Sequence, residues 1–156
     1  MIPEKVMAIL KANDLEFHEF PEGTTPTAIT AAQMLKVKVG QIAKSILFIC
    51  KSGRAYLVVC PGDRKVSLSK LKKIAGEKPR LADETTTLQL TGFSPGSVCP
   101  FGLLDINIIV DLNLREYDVV FPAAGTSGSA VETNFEELVR ITGAKIADVS
   151  NPMSQS

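Results

Sequence analysis

Lys44 is the residue whose type and position suggest chemistry most directly. It stands before Ser45 and an apolar run that begins at Ile46 and ends at Cys50. Burying a lysine costs several kcal/mol unless its charge finds a partner. Lys44 therefore either reaches water at the edge of a strand or places a positive charge inside a pocket.

A second unusual stretch is PGSVCPFG, residues 95–102, which offers little side-chain material for packing. A loop of this composition exposes backbone N–H and C=O groups that can approach a ligand closely. A rigid connector without a ligand explains the composition equally well, so the residues alone leave both interpretations open.

The cysteines and the single histidine do not have the spacing of a metal site. Cys50, Cys60 and Cys99 are odd in number and form no C-x-x-C pair, and His18 is the only histidine. We therefore expect three reduced thiols in a cytoplasmic protein, with no bound metal and no cofactor. For His18, a place on a strand surface or a hydrogen-bonded core position is a more frequent role than that of a catalytic base.

Motifs of the common enzyme families do not occur in the sequence. There is no G-x-S-x-G, no P-loop and no G-x-G-x-x-G after a strand. GTSGSA, residues 125–130, resembles a phosphate loop but lacks a following Lys-Ser/Thr pair, so a hairpin turn is the better interpretation. A basic run forms either a solvated helix face or a surface for phosphates; its members are Arg64, Lys65, Lys70, Lys72 and Lys73.

Composition limits the classes of partner. The chain has 156 residues, a formal net charge of zero and 45% hydrophobic residues, which fits one globular domain with its own core. A neutral chain has no overall basic field, so nucleic acid must meet a local patch. No apolar run approaches the roughly 20 residues that a membrane span needs, and the N-terminus does not read as a signal peptide. We expect no membrane partner.

Hydrophobic spacing and capping signals predict helices between the strands. The first helix begins near Pro3, and four others follow N-cap residues, with glycine stops after three of them. The caps are Thr27, Ser67, Asp83 and Asn134, and the stops are Gly76, Gly92 and Gly143. A further helical turn is expected at VGQIA, residues 39–43.

The strand pattern predicts the fold class. Two apolar runs, residues 45–50 and 55–60, are joined by KSGR and predict a β-hairpin. Shorter strands are expected at LEFHEF, PRLA, INIIVD, YDVVFPA, AVET and AKIADVS. The resulting fold is α/β (α+β), a single domain at residues 1–150 with a mixed, mainly antiparallel, barrel-like sheet flanked by helices. Residues 151–156 are expected to form a disordered tail.

Several of these stretches occur in the order found in one family. AKSILF is followed by VVCPGDRKVSLSKL, then by LTGFSPGSVCPFG, and later by an AAG turn before VET. The chain strongly resembles the YbaK-type aminoacyl-tRNA deacylases, which are free-standing relatives of the editing domain inserted in bacterial prolyl-tRNA synthetase. The resemblance spans nearly the whole chain, from the first helix to AKIADVS.

This resemblance implies an activity and its partners. Members hydrolyse the ester between an amino acid and the 3′-terminal adenosine of tRNA, commonly in alanyl- or cysteinyl-tRNA for proline. The implied partner is a tRNA acceptor end with its attached amino acid, and prolyl-tRNA synthetase is a second candidate. The resemblance leaves the oligomeric state unknown. A module that holds the tRNA end or an aminoacyl nucleotide without hydrolysing it is the alternative.

The resemblance also assigns site residues. Lys44 matches the family's functional lysine, which can hold the terminal phosphate or ribose and favour charge on the ester oxygen. Ser45 matches the Ser/Thr that follows it, Gly125 matches a glycine of the late turn, and Phe20 lies near a position where some members carry tyrosine. The central loop, residues 95–102, is expected to form the other wall of the pocket. Its contributing residues are Gly96, Ser97, Pro100, Phe101 and Gly102. Phe20 and Phe101 are expected to limit the size of the cavity.

Departures from the family pattern suggest a small amino acid as the substrate. Ala123 and Ala130 stand where cysteine-clearing members carry a serine and an aspartate, and Gly96-Ser97 replaces a paired glycine. These changes favour alanine or another small residue over a thiol-assisted mechanism. No residue resembles a dedicated base or nucleophile, so water or a group of the substrate is expected to act in that role.

Overall fold

The computed structural model describes residues 1–153. Within this range the chain forms five α-helices, α1 to α5, at Glu4–Ala12, Ala28–Leu35, Leu68–Ala75, Glu84–Thr91 and Phe135–Thr142. The side chains of the four predicted N-cap residues each accept a hydrogen bond from the backbone N–H three residues further on. The predicted glycine stops end α3, α4 and α5 in the left-handed conformation.

Ten strands complete the described part of the fold. Strands β1 to β5 are Glu16–Glu19, Ile42–Cys50, Ala55–Pro61, Arg64–Val66 and Pro79–Leu81. Strands β6 to β10 are Asn107–Asp111, Phe121–Pro122, Ser129–Glu132, Lys145–Ala147 and Ser150–Pro152. The helical turn predicted at VGQIA is a 3₁₀ turn at Val39–Gln41.

The sheets are mixed. The largest runs in the order β5-β2-β3-β6-β9, with β7 also paired to β2. Four of the strand pairs between residues 1 and 153 are antiparallel and three are parallel. The predicted class is confirmed: a single mixed α/β domain whose pairing is mainly antiparallel. In the part of the chain described, the strands do not close into a barrel.

A gap in the edge of β2 is the feature that creates room for a site. One edge of β2 pairs with β3 along almost its whole length. The other edge pairs with β7 only at Ile42 and Ala43, and with β5 only from Phe48 to Cys50. Residues 44–46 therefore lie between the two partners, and their edge of the strand is open.

Three predicted boundaries were wrong. The strand that carries Lys44 begins at Ile42, so Lys44 lies inside the strand and not at its entrance. YDVVFPA contributes only a two-residue strand, β7, because residues 117–119 follow a 3₁₀ turn at Leu112–Glu116. AKIADVS divides at Asp148 into β9, which pairs with β6, and β10, which pairs with β4.

The predicted tail was also wrong for its first residues. Asn151 and Pro152 belong to β10 and pair with Lys65 and Arg64. A proline is tolerated there because β10 is an edge strand with one partner. Residues 154–156 of the predicted tail lie outside the described residues.

A buried carboxylate holds this C-terminal strand in place. Asp111 is fully buried at the end of β6 and accepts hydrogen bonds from Val149 N, from Asn113 N and Nδ2, and from the hydroxyl of Ser150. Arg64 Nε in turn donates to Ser150 Oγ at 2.8 Å. The network ties β4, β6 and β10 together through one acidic side chain.

None of the helices formed within residues 1–153 combines the length and the apolarity that crossing a membrane requires.

Candidate functional site

A pocket of about 220 Å³ opens at the gap in the edge of β2. Its walls come from four places in the sequence: β2 itself, the segment that enters α2, the central loop, and the strands β7 and β8 with the residues between them. The lining residues are Thr25, Pro26, Thr27, Ala28, Ala31, Ile42, Ala43, Lys44, Ser45, Ile46, Gly96, Val98, Phe121, Ala123, Ser129 and Ala130.

Lys44 lines the pocket as a half-buried cation. Its cross-strand partner is Cys60, and residues directly opposite each other share one face of the sheet. Cys60 belongs to the cluster that packs beneath α3, so Lys44 leaves the sheet on the α3 face. No carboxylate within residues 1–153 forms an ion pair with Lys44. The charge is therefore available to a ligand.

Ser45 lines the same pocket from the opposite face of β2. Its cross-strand partner, Val59, belongs to the main core, the large cluster of buried apolar residues that also contains Leu10 and Leu57. The Ser45 hydroxyl is buried and has no hydrogen-bond partner among the described residues. Leu47 lies two residues further on, and its C=O accepts a hydrogen bond from Ala82 N on the edge of β2 that is open at residues 44–46. Because hydrogen-bonding direction alternates along a strand, the N–H and C=O of Ser45 point to that same edge.

Four hydroxyl side chains line the pocket, and they divide into two kinds. Thr27 caps α2 through Thr30 N, and Ser129 accepts a hydrogen bond from Thr126 Oγ1 at 2.7 Å. Thr25 and Ser45 are different, because both hydroxyls are buried without a partner in the described part of the chain. Buried polar atoms are nearly always hydrogen-bonded in native proteins. These two hydroxyls are therefore the ones in the pocket that are free to pair with a polar ligand or with water.

The central loop contributes Gly96 and Val98 to the wall. Gly96 adopts φ +85°, and a Cβ atom added there would lie 2.5 Å from Pro26 O. Only glycine permits this contact between the loop and the segment entering α2. The loop therefore reaches the pocket at its N-terminal end.

The other predicted loop residues do not line this pocket. Ser97 is buried, and its N–H donates to Ser94 O. Pro100 and Gly102 border a different pocket, together with Ile9 and Arg140. Phe101 is fully buried in the main core. The expectation that Phe101 limits the cavity was wrong, because the loop turns its largest side chain inward to fill the core.

Phe20 and Gly125 do not line the main pocket, so the expectation that Phe20 limits the cavity was also wrong. Both residues instead support the wall from outside. Phe20 N donates to Gly128 O at 2.6 Å, and Thr25 N donates to Ser127 O at 2.7 Å. GTSGSA is thus a turn, as predicted, that anchors the segment leading to α2. Gly125 adopts φ +101°, and a Cβ there would approach the Phe93 ring to 2.7 Å.

Small and apolar residues form the rest of the wall. Ala123 and Ala130, which were singled out in the sequence, both line the pocket. Phe121 and the α2 residues Ala28 and Ala31 were missed. The spacing of small residues on α2 was the one signal for the two alanines, and it is equally typical of helix packing; no local signal pointed to Phe121.

Cys60 lies opposite Lys44 but is not a candidate nucleophile. It is fully buried beneath α3, and burial raises the pKa of its thiol to about 12, although the nearby Lys44 charge acts in the opposite direction. A neutral buried thiol is unreactive.

His18 also lies away from the pocket lining. Its Nε2 atom is 2.9 Å from Glu132 Oε1 at a half-exposed position. This is the strand-surface role that the sequence favoured.

The basic run is only partly available. Lys70 Nζ bonds to Asp148 Oδ2 at 3.1 Å and to Ser150 O at 2.9 Å, and Arg64 bonds to the side chain and carbonyl of Ser150. These two cations stabilise the C-terminal strand. The members that remain exposed are Lys65, Lys72 and Lys73.

A second pocket of about 260 Å³ adjoins the first. The two share Ser45, Ile46, Gly96 and Val98, and the second continues toward Leu81 and Pro95. Together they form a cleft with a cation in one part and apolar walls in the other, which suits a ligand with two chemically different ends.

The main pocket offers few kinds of reactive or charged group. Among the described residues that line the main pocket there is one cation, four hydroxyl groups and no carboxylate, imidazole or thiol. Within residues 1–153, no cluster of three or more His, Cys, Asp or Glu side chains could hold a metal ion. The arrangement can bind a polar group and stabilise negative charge on an oxygen.

Comparison with known proteins identifies the family of this chain. The family model of the aminoacyl-tRNA editing domain matches residues 22–141. The uncharacterized protein YwhH of Bacillus subtilis is 34% identical over 126 residues, which is 80% of either chain. EbsC of Enterococcus faecalis, a candidate Cys-tRNA(Pro)/Cys-tRNA(Cys) deacylase, is 24% identical over 80% of this chain and 77% of its own.

A solved structure agrees with this result. The crystal structure of a candidate trans-editing enzyme for prolyl-tRNA synthetase superposes with a TM-score of 0.86 at 33% identity, and the match covers 94% of this chain and 95% of that one. The matched residues 22–141 contain every residue that lines the main pocket. The chain belongs to the aminoacyl-tRNA editing domain family.

Proposed function

We propose that this protein is a trans-editing hydrolase that removes a small amino acid, such as alanine or cysteine, from mischarged tRNA for proline. The observation that carries the proposal is Lys44, a cation with no ion-pair partner among residues 1–153, beside the unpartnered hydroxyl of Ser45. A pocket that offers a charge and an open strand edge is suited to an ester and its flanking phosphate.

Hydrolysis requires little from the side chains. Water attacks the ester carbon, the carbonyl oxygen becomes negative, and the C–O bond to the ribose then breaks. The water's proton is transferred to the leaving ribose oxygen, which yields free amino acid and uncharged tRNA. Lys44 and the Ser45 N–H are the groups proposed to stabilise the negative oxygen.

A covalent intermediate is not part of the proposal. Ser45 Oγ has no hydrogen bond to Lys44 Nζ or to any other described group, so the pair is not arranged as a nucleophile and its base. Attack by water accounts for hydrolysis with the residues that are present.

We expect the pocket to select by size. Alanyl-tRNA should be hydrolysed at least about tenfold faster than prolyl-tRNA, because an apolar wall excludes a larger residue by steric clash but separates residues that differ by one methylene only weakly. The measurement is the rate of amino acid release from a panel of mischarged forms of one tRNA, including alanyl, cysteinyl, seryl and prolyl esters.

Two variants of the pocket wall provide the controls. Ala130→Val should narrow the pocket and slow alanyl release, and Phe121→Leu should widen it and reduce the preference over proline. Equal rates for alanyl and prolyl esters in the wild type would contradict selection by size. A strong preference for cysteine would show that Ala123 and Ala130 do not determine the substrate.

The tRNA is expected to approach across the α3 face, where Lys44 leaves the sheet. Reversing the charge at Lys72 and Lys73 should raise KM about tenfold and leave kcat within about twofold, because phosphate contacts act through binding. The dependence of KM on salt should also become shallower. The matched control reverses two exposed lysines elsewhere, Lys11 and Lys51. If the control raises KM as much, the tRNA does not approach across α3.

The alternative is a module that binds the tRNA end without hydrolysis. The alanines at positions 123 and 130 favour it, since they replace polar groups. It predicts tight binding of a charged tRNA end with no acceleration of amino acid release.

A further inference from the structure

The hydroxyl of Thr25 is a buried polar group that the proposed reaction does not yet use. Thr25 is 5% exposed, lines the main pocket, and its Oγ1 atom has no hydrogen-bond partner among residues 1–153. Leaving a hydroxyl in this state costs about 1–3 kcal/mol in the absence of a ligand. A substrate group that pairs with it recovers this free energy on binding.

The local structure fixes Thr25 in place. Its backbone N–H donates to Ser127 O at 2.7 Å, and the carbonyl of the next residue, Pro26, contacts Gly96. The segment is therefore tied on one side to the turn before β8 and on the other to the central loop. Thr25 is therefore part of the pocket wall at a defined position.

The wall next to Thr25 consists of small residues. Ala28 and Ala31 follow it on α2, and Ala130 lies on β8. This is the part of the pocket that suits the side chain of a small amino acid. The α-amino group is attached to the same carbon as that side chain, so it must lie close to Thr25 when the side chain is bound there.

The charges in the pocket exclude the usual partner of an amino group. No carboxylate is present among the described lining residues, and the only charged one is Lys44. Lys44 repels a protonated amine, and Ser45 is already proposed, with Lys44, to hold the ester end of the substrate. A neutral oxygen must therefore accept the hydrogen bond from the amine.

We propose that the Thr25 hydroxyl accepts a hydrogen bond from the α-amino group of the substrate, and that through it the pocket distinguishes an aminoacyl ester from an ester without the amino group. This inference rests on the proposed function, because it identifies part of the substrate for the same site. Ser129 is the weaker candidate, because one lone pair of its hydroxyl already accepts a hydrogen bond from Thr126 Oγ1, whereas the Thr25 hydroxyl has both free among the described residues.

The test compares alanyl and propionyl esters of one tRNA, with each rate corrected for spontaneous hydrolysis. Thr25→Val removes the hydroxyl and keeps the shape, and should lower kcat/KM for the alanyl ester about tenfold, the value of one hydrogen bond, while the propionyl ester changes less than about twofold. Thr25→Ser should restore the alanyl rate. Ser129→Ala, the matched control, should leave the ratio of the two rates unchanged.

An equilibrium measurement separates this inference from the proposed function. Calorimetry should measure the binding of two non-hydrolysable analogues, 3′-alanylamido-adenosine and 3′-propionamido-adenosine. Thr25→Val should weaken the binding of the alanylamido analogue only. If the wild type binds both analogues but hydrolyses neither ester, the proposed function fails and the binding data still test Thr25. Equal losses for both analogues, or no loss for either, would overturn the inference.

Discussion

Replacing Lys44 by alanine should reduce the rate of alanyl-tRNA hydrolysis by about 100-fold or more, the usual effect of removing a group that stabilises a developing oxyanion. The cation is half-buried at the open edge of β2, and the main pocket contains no other charged residue among those described. No second cation of the pocket can therefore replace it. The measurement is single-turnover release of alanine from charged tRNA.

Two variants make this result interpretable. Lys51→Ala removes a lysine of the exposed turn between β2 and β3, and should retain the wild-type rate. Lys44→Arg keeps the charge and should retain part of the activity. The thermal transition of Lys44→Ala should match that of the wild type, since the residue has no ion-pair partner within residues 1–153. A folded Lys44→Ala protein with normal turnover would remove Lys44 from the mechanism.

Replacing Asp111 by alanine should have the largest effect on stability. The carboxylate is fully buried and accepts four hydrogen bonds, so its loss leaves several buried donors without an acceptor. We expect the free energy of unfolding to fall by about 2–4 kcal/mol. For a chain of this size the midpoint should fall by roughly 10 °C. Thermal and urea unfolding both measure the change.

Asp118→Ala is the control, because Asp118 is exposed and makes no side-chain hydrogen bond to the described residues. Its free energy of unfolding should lie within about 0.5 kcal/mol of the wild-type value. If Asp111→Ala does not fold, Ser150→Ala removes one member of the same network and should cost about 1 kcal/mol. Asp111→Ala and Asp118→Ala of equal stability would show that the network does not hold the C-terminal strand.

Local signals in the sequence were sufficient for the five helices and for Lys44. Helix caps such as Ser67 and Asn134 act within three residues, so their effect can be read from a short stretch. Lys44 stood out for a similar reason, as a single cation before a buried strand. The predicted fold class needed only the order of these elements.

The pocket wall could not be predicted in the same way. Thr25, Phe121 and the alanines of α2 come together only because β7 and β5 leave a gap along β2, and nothing in the sequence near them indicates that gap. Phe101 shows the opposite failure. The loop composition fitted a ligand-binding surface and a rigid connector equally well, and it did not show which side chain fills the core.

The C-terminal strand was missed because its partners are distant in sequence. Asn-Pro at positions 151–152 is a common turn signal, and only the bonds of Ser150 to Asp111 and Arg64 favour an extended conformation. The same bonds occupy two cations of the basic run, which the sequence presented as one uniform surface.

The most direct test of the account is single-turnover release of labelled alanine from alanyl-tRNA for proline, measured with and without 3′-alanylamido-adenosine. We predict that the wild-type protein accelerates release well above the spontaneous rate, and that the analogue inhibits competitively because both ligands occupy the pocket at the edge of β2. An analogue that binds this pocket while alanine is released only at the spontaneous rate would contradict the account, because the protein would then be a binding module and not an editing hydrolase.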